Sequence, residues 1–350
     1  MNISNLNYES AHSYTKCASD NEIKKVVEPF FPKFDRLIKF YVKFNCFFFI
    51  LILAELITLI LSFRFLAESA WLAFGFGFIF LTLFSYFILR FYFQAQKATH
   101  LEELKNSYEK QCKTLFRYEE GNVDKQVTLA NAYCKLANSL HKKEAKAFKL
   151  PSFIASNAKT LNNSIEKFSS WFLYEDVHKM QELLLMAAVN EHIKGVKCEP
   201  TSQHAHAALA NAYVMLSGLY AQFKNKKRSE GTAFFSENLI ATMNQKFRAT
   251  AERAIEEFKI ICDYAPDDPW VHKQLGFSYH DLNMPLEEIK EYEIVLKLIP
   301  DDKDTMYKLG VLYFSQGFNA KGLRLYEELK NINQKKADEL IKFYAVYSPF

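Results

Sequence analysis

Three residues of this chain have a type and setting that could do chemistry: His204 and His206, which flank one alanine, and Glu55, alone inside a long apolar run. A histidine pair at that spacing needs acidic or cysteine neighbours to complete a metal site, and no such cluster accompanies it. The six cysteines (Cys17, Cys46, Cys112, Cys134, Cys198, Cys262) stand singly, with no CxxC spacing. That argues against a zinc site and a disulfide framework, and it suits a reducing compartment. No phosphate loop, HExxH or GxSxG elbow occurs in the sequence. The expectation is no catalytic residue, no metal, no cofactor and no enzyme. For Glu55 the functional reading is a proton or ion relay, or polar glue between copies of the protein in a homo-oligomer. The bland reading is a protonated carboxyl bonded to Thr82 or to backbone. One lone carboxylate makes a poor transport path, so the bland reading is preferred.

The run that holds Glu55 spans residues 44–63, and a second, uncharged apolar run spans residues 69–89. At 1.5 Å per residue each reaches roughly 30 Å, the thickness of a bilayer core. An acidic residue near mid-bilayer costs roughly 2.5–3.5 kcal/mol. The many Phe, Leu and Ile of the same run return about 0.3–0.6 kcal/mol each, so insertion is still favoured. The short link, 64–68, forces an antiparallel hairpin within residues 33–93. Lys33, Arg36, Lys39 and Lys43 precede the first span, and Arg90 and Lys97 follow the second; the link holds only Arg64. The positive-inside rule then puts both termini and all the soluble mass on the cytoplasmic side. Ala54, Thr58 and Ser62 recur every four residues, a stripe that would pack closely against Gly75 and Gly77. Folding the hairpin about residue 67 brings Glu55 within a turn of Thr82. The first apolar run begins only at Phe44, behind a polar leader (1–32) broken by Pro29 and Pro32, so no cleavable signal peptide is expected.

Beyond the hairpin, residues 94–122 read as a linker helix with Leu101, Leu104, Tyr108 and Leu115 at heptad-like spacing, a stalk or a cap. Self-comparison then gives a repeat. Leu275, Gly276 and Tyr279, then Tyr292 and Pro300, are followed 34 residues later by Leu309, Gly310, Tyr313 and Tyr326, with Gly322 at the small-residue position. Asp268 before Pro269 reads as an N-cap with proline in the first turn. The pentapeptide LANAY occurs at 129–133 and 209–213, with Ala188 and Pro200, and Ala254, Phe258 and Pro266, as matching second helices. This part of the chain resembles the tetratricopeptide repeat (TPR) family. The resemblance implies repeats over 123–336: two units with insertions (123–200 and 203–266, inserted at 141–178 and 222–246) and two regular units (269–302 and 303–336). A capping helix and tail follow over 337–350. The expected fold class is all-α, a two-helix transmembrane hairpin plus a TPR-like α-solenoid.

What the resemblance implies about a binding face is a concave groove lined by the first helix of each unit. On this sequence that gives Trp270, Lys273, Gln274, Phe277 and His280, then Tyr307, Lys308 and Phe314, with Asn131 and Asn211 in the looser units. Such a groove would dock an apolar helix or extended peptide from a protein partner. The carboxylate clamp of chaperone-binding members needs Lys and Asn four places apart. Here Lys273 is followed by Phe277, and Val127 and Ala207 precede Asn131 and Asn211, so the clamp is absent. With 44 basic and 40 acidic side chains the net charge is +4, too small to imply nucleic acid as a partner. Two basic runs, Lys142–Lys149 and Lys224–Arg228, read as solvated faces that could touch anionic lipid. The expected function is a membrane-anchored scaffold with protein partners and a lipid bilayer. The alternative comes from the hairpin, which weakly resembles that of chlamydial inclusion membrane proteins. It implies a secreted effector in a host vacuole (inclusion) membrane, presenting the repeats to a host cytosol.

Overall fold

The computed structural model describes residues 20–66, 71–141, 159–230 and 237–344, and every element among them is helical. They fall into two compact units: residues up to 120 with 128–187, and residues 121–127 with 188 onward.

Two long helices dominate the first unit, α1 (Asp20–Leu66, 47 residues) and α2 (Trp71–Phe116, 46 residues). At 1.5 Å per residue each is about 70 Å long. They run antiparallel: Tyr41 meets His100, Asn45 meets Tyr86, and Glu55 meets Thr82. Each helix changes character along its length. From Ile23 to Tyr41 a stripe of Ile23, Val26, Val27, Phe30, Phe34, Ile38 and Tyr41 is buried at three- and four-residue spacing, one face of a helix. Beyond it Phe47, Phe49, Ile50, Leu53, Ile57, Ile60 and Leu61 are all exposed. On α2 the order is reversed, with Phe74, Phe76, Phe78, Phe80, Phe84, Phe87 and Phe91 exposed and Leu101, Tyr108, Cys112 and Phe116 buried. The buried stems are completed by the greater part of α3 (Val123–His141) and by the middle of α4 (Lys159–Cys198). The Tyr108 hydroxyl donates to the Ala132 carbonyl at 3.0 Å, and Gln181 Nε2 donates to the Ala137 carbonyl at 3.0 Å. Phe30 meets the Tyr108 ring edge-on, and Lys97 pairs with Asp176.

One sequence expectation is corrected here. The polar leader is not broken at Pro29 and Pro32; from Asp20 onward it is the first part of α1, and both prolines lie inside that helix. Both are exposed, so the carbonyls their missing N–H groups release can turn to water, while the apolar stripe on the opposite face holds the helix together. Most of the linker 94–122 is the continuation of α2, which runs on to Phe116. A turn with Arg117 and Gly121 at positive φ follows. Leu115 of the heptad-like set is exposed. The insertions are mostly longer helices: α4 begins at Lys159, α5 (Gln203–Glu230) runs on to residue 230, and α6 (Glu237–Tyr264) starts at 237. Residues 67–70, 142–158 and 231–236 lie outside the described residues, and with them the first basic run.

The second unit continues with helix pairs: α5 with α6, α7 (Pro269–Asp281) with α8 (Pro285–Leu298), and α9 (Lys303–Ser315) with α10 (Asn319–Ile332). It closes with α11 (Gln334–Leu340) and a 3₁₀ turn, Ile341–Phe343. Asp268 caps α7 by accepting from the Trp270 amide at 2.9 Å, and Asp302 caps α9 by accepting from the Asp304 and Thr305 amides. Asn283 and Gly317, 34 residues apart, both take positive φ where the first helix of each pair ends, a conformation that suits Asn and Gly. The core is a chain of local clusters. Ala210, Phe258, Val271, Leu275 and Tyr279 join α5–α6 to α7, while Tyr292, Leu309, Phe314, Leu329 and Leu340 join α8 to α9–α11. Each pair is packed against its neighbours in sequence, as in a solenoid. The capping helix α11 starts at Gln334 and ends at Leu340, with Ala337 and Leu340 fully buried.

Candidate functional site

Helices α7 and α9 carry the groove side chains, and the 34-residue phase puts equivalent positions side by side. Trp270, Lys273, Gln274 and Phe277 on α7, and Tyr307 and Lys308 on α9, are all half-buried. The aromatic rings lean on the solenoid core. Trp270 meets Phe258 edge-on at 6.0 Å, Phe277 meets Tyr292 at 6.2 Å, and Tyr307 meets Phe343 at 6.5 Å between centroids. The charges knit neighbouring pairs together. Lys273 Nζ lies 2.5 Å from Asp302 Oδ2, and Lys308 Nζ sits 4.0 Å over the Phe277 ring. Burial holds the Lys308 ammonium below its ordinary range. Burial alone would raise the Asp302 carboxyl, but bonds from Lys273 and the Thr305 hydroxyl hold it below its usual range. Trp270, Gln274, Tyr307 and Lys308 each keep part of their surface exposed.

Phe314 does not join that face. Phe314 is a core residue, 3% exposed. Gly322 of α10 leaves the space its ring fills, since a β-carbon there would come within 2.5 Å of it. The Phe314 ring also meets Tyr344 edge-on. His280 Nδ1 lies 3.1 Å from both Glu288 carboxyl oxygens, so it ties α7 to its own partner helix α8. That bond holds the imidazole above its ordinary range. Asn131 belongs to the first unit, because α3 passes from one unit to the other after Val127; Asn211 stays in the second, half-buried on α5.

Neither a protein-family model nor a curated protein matches this sequence. Its solved structural neighbours are tetratricopeptide-repeat proteins. MamA (MSR-1) is 12% identical with a TM-score of 0.36, over 71% of this chain and 98% of that one. A thermophilic TPR protein from Thermus thermophilus is 16% identical with a TM-score of 0.34, over 70% and 93%. YrrB, described as a TPR protein with an unusual peptide-binding site, is 18% identical with a TM-score of 0.26, over 55% and 98%. The resemblance of the hairpin to chlamydial inclusion membrane proteins finds no support in these comparisons.

In the hairpin, Thr82 Oγ1 lies 2.7 Å from Glu55 Oε1. The small-residue stripe does not pack as the sequence suggests. Ala54 and Thr58 are exposed, and Thr58 bonds back to the Ala54 carbonyl. Only the backbone of Ser62 is described. It is Leu59 that meets Gly75, where a β-carbon would come within 2.9 Å, while Gly77 has nothing within 4 Å. Two residues apart on a helix, the two glycines point to nearly opposite sides, so both cannot face the partner. The inward line instead carries Asn45, Glu55 and Leu59. Sequence reasoning missed a polar group on that line: the Tyr86 hydroxyl donates to Asn45 Oδ1 at 3.1 Å and accepts from Arg90 at 3.0 Å.

Among the described residues no three His, Cys, Asp or Glu side chains converge on a point that could hold a metal ion. Cys262, His272 and Glu291 come nearest to a nucleophile–base–carboxylate series, with Sγ 3.9 Å from Nε2 and Nδ1 2.7 Å from Oε2. However, His272 Nε2 is spent on the Pro266 carbonyl at 2.9 Å. Burial, with Glu291 and Asp263 adding to it, pushes the Cys262 thiol up, the wrong direction for a nucleophile.

Proposed function

We propose that this chain is a membrane-anchored adaptor: the apolar halves of α1 and α2 span a bilayer, and the α7–α9 face of the second unit holds a protein partner on the cytoplasmic side. The observation that carries the reading is the exposed apolar belt. Both helices are long and apolar enough to cross a membrane, and their most apolar windows are scarcely buried by the protein itself. A soluble monomer rarely leaves so large a contiguous apolar surface to water. The α7–α9 face adds the second half of the reading. Amphipathic aromatics beside an amide and a cation suit an apolar segment of a partner, with polar groups fixing its register.

The test uses the full chain in membranes, with a photoreactive side chain introduced at Tyr307 or, as a control, at exposed Lys330 on α10. Discrete adducts from position 307 and none from 330 are expected. Trp270→Ala combined with Tyr307→Ala should weaken capture of the crosslinked protein about thirtyfold, given roughly 2 kcal/mol or more for a truncated aromatic anchor. Both rings also touch the core, so melting is measured alongside. Unchanged capture with a large fall in melting temperature would move them into the core and sink the groove.

A further inference from the structure

The stem of α1 has a second face, opposite in character to its buried stripe. Lys33, Arg36, Phe40, Lys43 and Phe47 follow one another at alternating three- and four-residue steps, the spacing of a single helix face. All five are exposed, Phe40 by 52% and Phe47 by 62%. Lys39, also exposed, stands beside Phe40 and one turn from Lys43. Phe40 and buried Ile38 are two residues apart, so they point to nearly opposite sides of the helix. Lys43 is the last charge before the apolar run 44–63. Cations and phenylalanines therefore share one face where the stem meets the exposed belt.

Arg36 and Lys39 are three residues apart, and Lys39 and Lys43 four. Like charges at those spacings repel and cost the helix stability, and an anion held between them removes the repulsion. Among the described residues none of these cations has an acidic partner. The nearest acid in sequence, Asp35, is half-buried and about 100° round the helix from Arg36. The cation at the same boundary of α2 is already engaged: Arg90 donates to the Tyr86 hydroxyl at 3.0 Å and lies 5.8 Å from the centre of that ring. From Arg36 to Lys43 the helix rises about 10 Å, against a headgroup layer roughly 5–8 Å deep on each side of a bilayer. Long cationic side chains snorkel across the difference. We propose that this face of α1 binds an anionic phospholipid, with Arg36, Lys39 and Lys43 on its phosphate and an acyl chain laid along Phe40 and Phe47. The proposal rests on the reading that the hairpin spans a bilayer. A soluble phosphate would engage the cations and leave both rings in water, whereas a lipid covers cations and rings together.

To test this, the full chain is reconstituted in vesicles of equal phosphatidylglycerol and phosphatidylcholine and extracted in mild neutral detergent. Native mass spectrometry then counts the lipids it retains. Phosphatidylglycerol should be retained at least about fivefold over phosphatidylcholine, the factor given by about 1 kcal/mol for one cation near an anionic headgroup. Arg36→Gln with Lys39→Gln and Lys43→Gln should remove that preference. Lys24→Gln with Lys25→Gln should keep it, since these exposed lysines lie about 16 Å further from the belt on the same helix. Equal loss in the two variants overturns the proposal, because charge in general and not this face would then hold the lipid. Release of phosphatidylglycerol by millimolar glycerol phosphate would make soluble phosphate the ligand and overturn it too. Alkaline carbonate separates the two readings. A chain that resists extraction from the vesicles yet retains both lipids equally, or neither, sinks this proposal alone. A chain that carbonate strips from the vesicles sinks the spanning reading and the lipid site with it.

Discussion

The Thr82 hydroxyl owns one proton and faces two acceptors, Glu55 Oε1 at 2.7 Å and the Phe78 carbonyl at 2.9 Å. The one hydroxyl proton is shared between them, with Glu55 Oε1 as an acceptor from Thr82. Glu55→Gln keeps an acceptor oxygen in the same place, so near-normal membrane insertion and unchanged stability in detergent are expected. Thr82→Val removes the partner and should cost about 0.6–1.7 kcal/mol, the range for interhelical hydrogen bonds between membrane helices. Unfolding of the purified protein in mixed micelles measures both. A specific loss of function in Glu55→Gln, with insertion and stability intact, would instead make the titrating proton itself the point.

At the scale of elements, close helix approach is set by single glycines that the sequence marks unequally. A β-carbon on Gly276 would come within 2.5 Å of the Tyr292 ring, which is 1% exposed and has nowhere to turn. Gly276→Ala should therefore destabilise, because overpacking costs about 1–3 kcal/mol against about 0.5–1 kcal/mol that alanine gains in a helix. Gly77→Ala meets nothing within 4 Å and should leave melting unchanged or slightly raised. Equal effects at the two sites would mean that α7 and α8 are not held this close. Gly276, Gly310 and Gly322 were legible because a repeat shows its small residues at a fixed phase. Phe314 was not, since place-counting along a first helix assumes a further unit beyond it; here α11 and Tyr344 follow, and the ring turns in. The stem of α1 was illegible for a different reason. Local proline propensity argues for a break at 29 and 32, and only tertiary burial of Ile23, Phe30 and Phe34 overrides it. The groove charges were legible as types and not as pairs, because Lys273 finds Asp302 across a helix connection no local pattern reports.

For the molecule as a whole, the first unit constrains topology without any count of charges. The stem of α1 from Ile23 to Tyr41 and the stem of α2 from Leu101 to Phe116 bury their apolar stripes in one core, through contacts such as Phe30 with Tyr108. Two stems that share a core must leave a bilayer on the same side, so on the adaptor reading the exposed apolar halves enter and return as a pair. On the same reading, the side is expected from the flanks. Lys33, Arg36, Lys39, Lys43 and Arg90 are exposed on the stems near the apolar belt, and each lysine or arginine near an anionic cytoplasmic leaflet contributes about 1 kcal/mol. Alkaline phosphatase, active only outside the cytoplasm, reports the result in a bacterial host. Fusions after Phe93 and after Phe350 should be inactive, and a fusion after Leu66, at the tip of the hairpin, should be active. Strong activity from either of the first two would overturn the orientation. Activity after Phe93 together with inactivity after Leu66 would invert the hairpin and place the α7–α9 face on the opposite side. Inactivity at all three junctions, with the fusions recovered from the soluble fraction, would remove the bilayer from the reading and require another partner for the exposed phenylalanines.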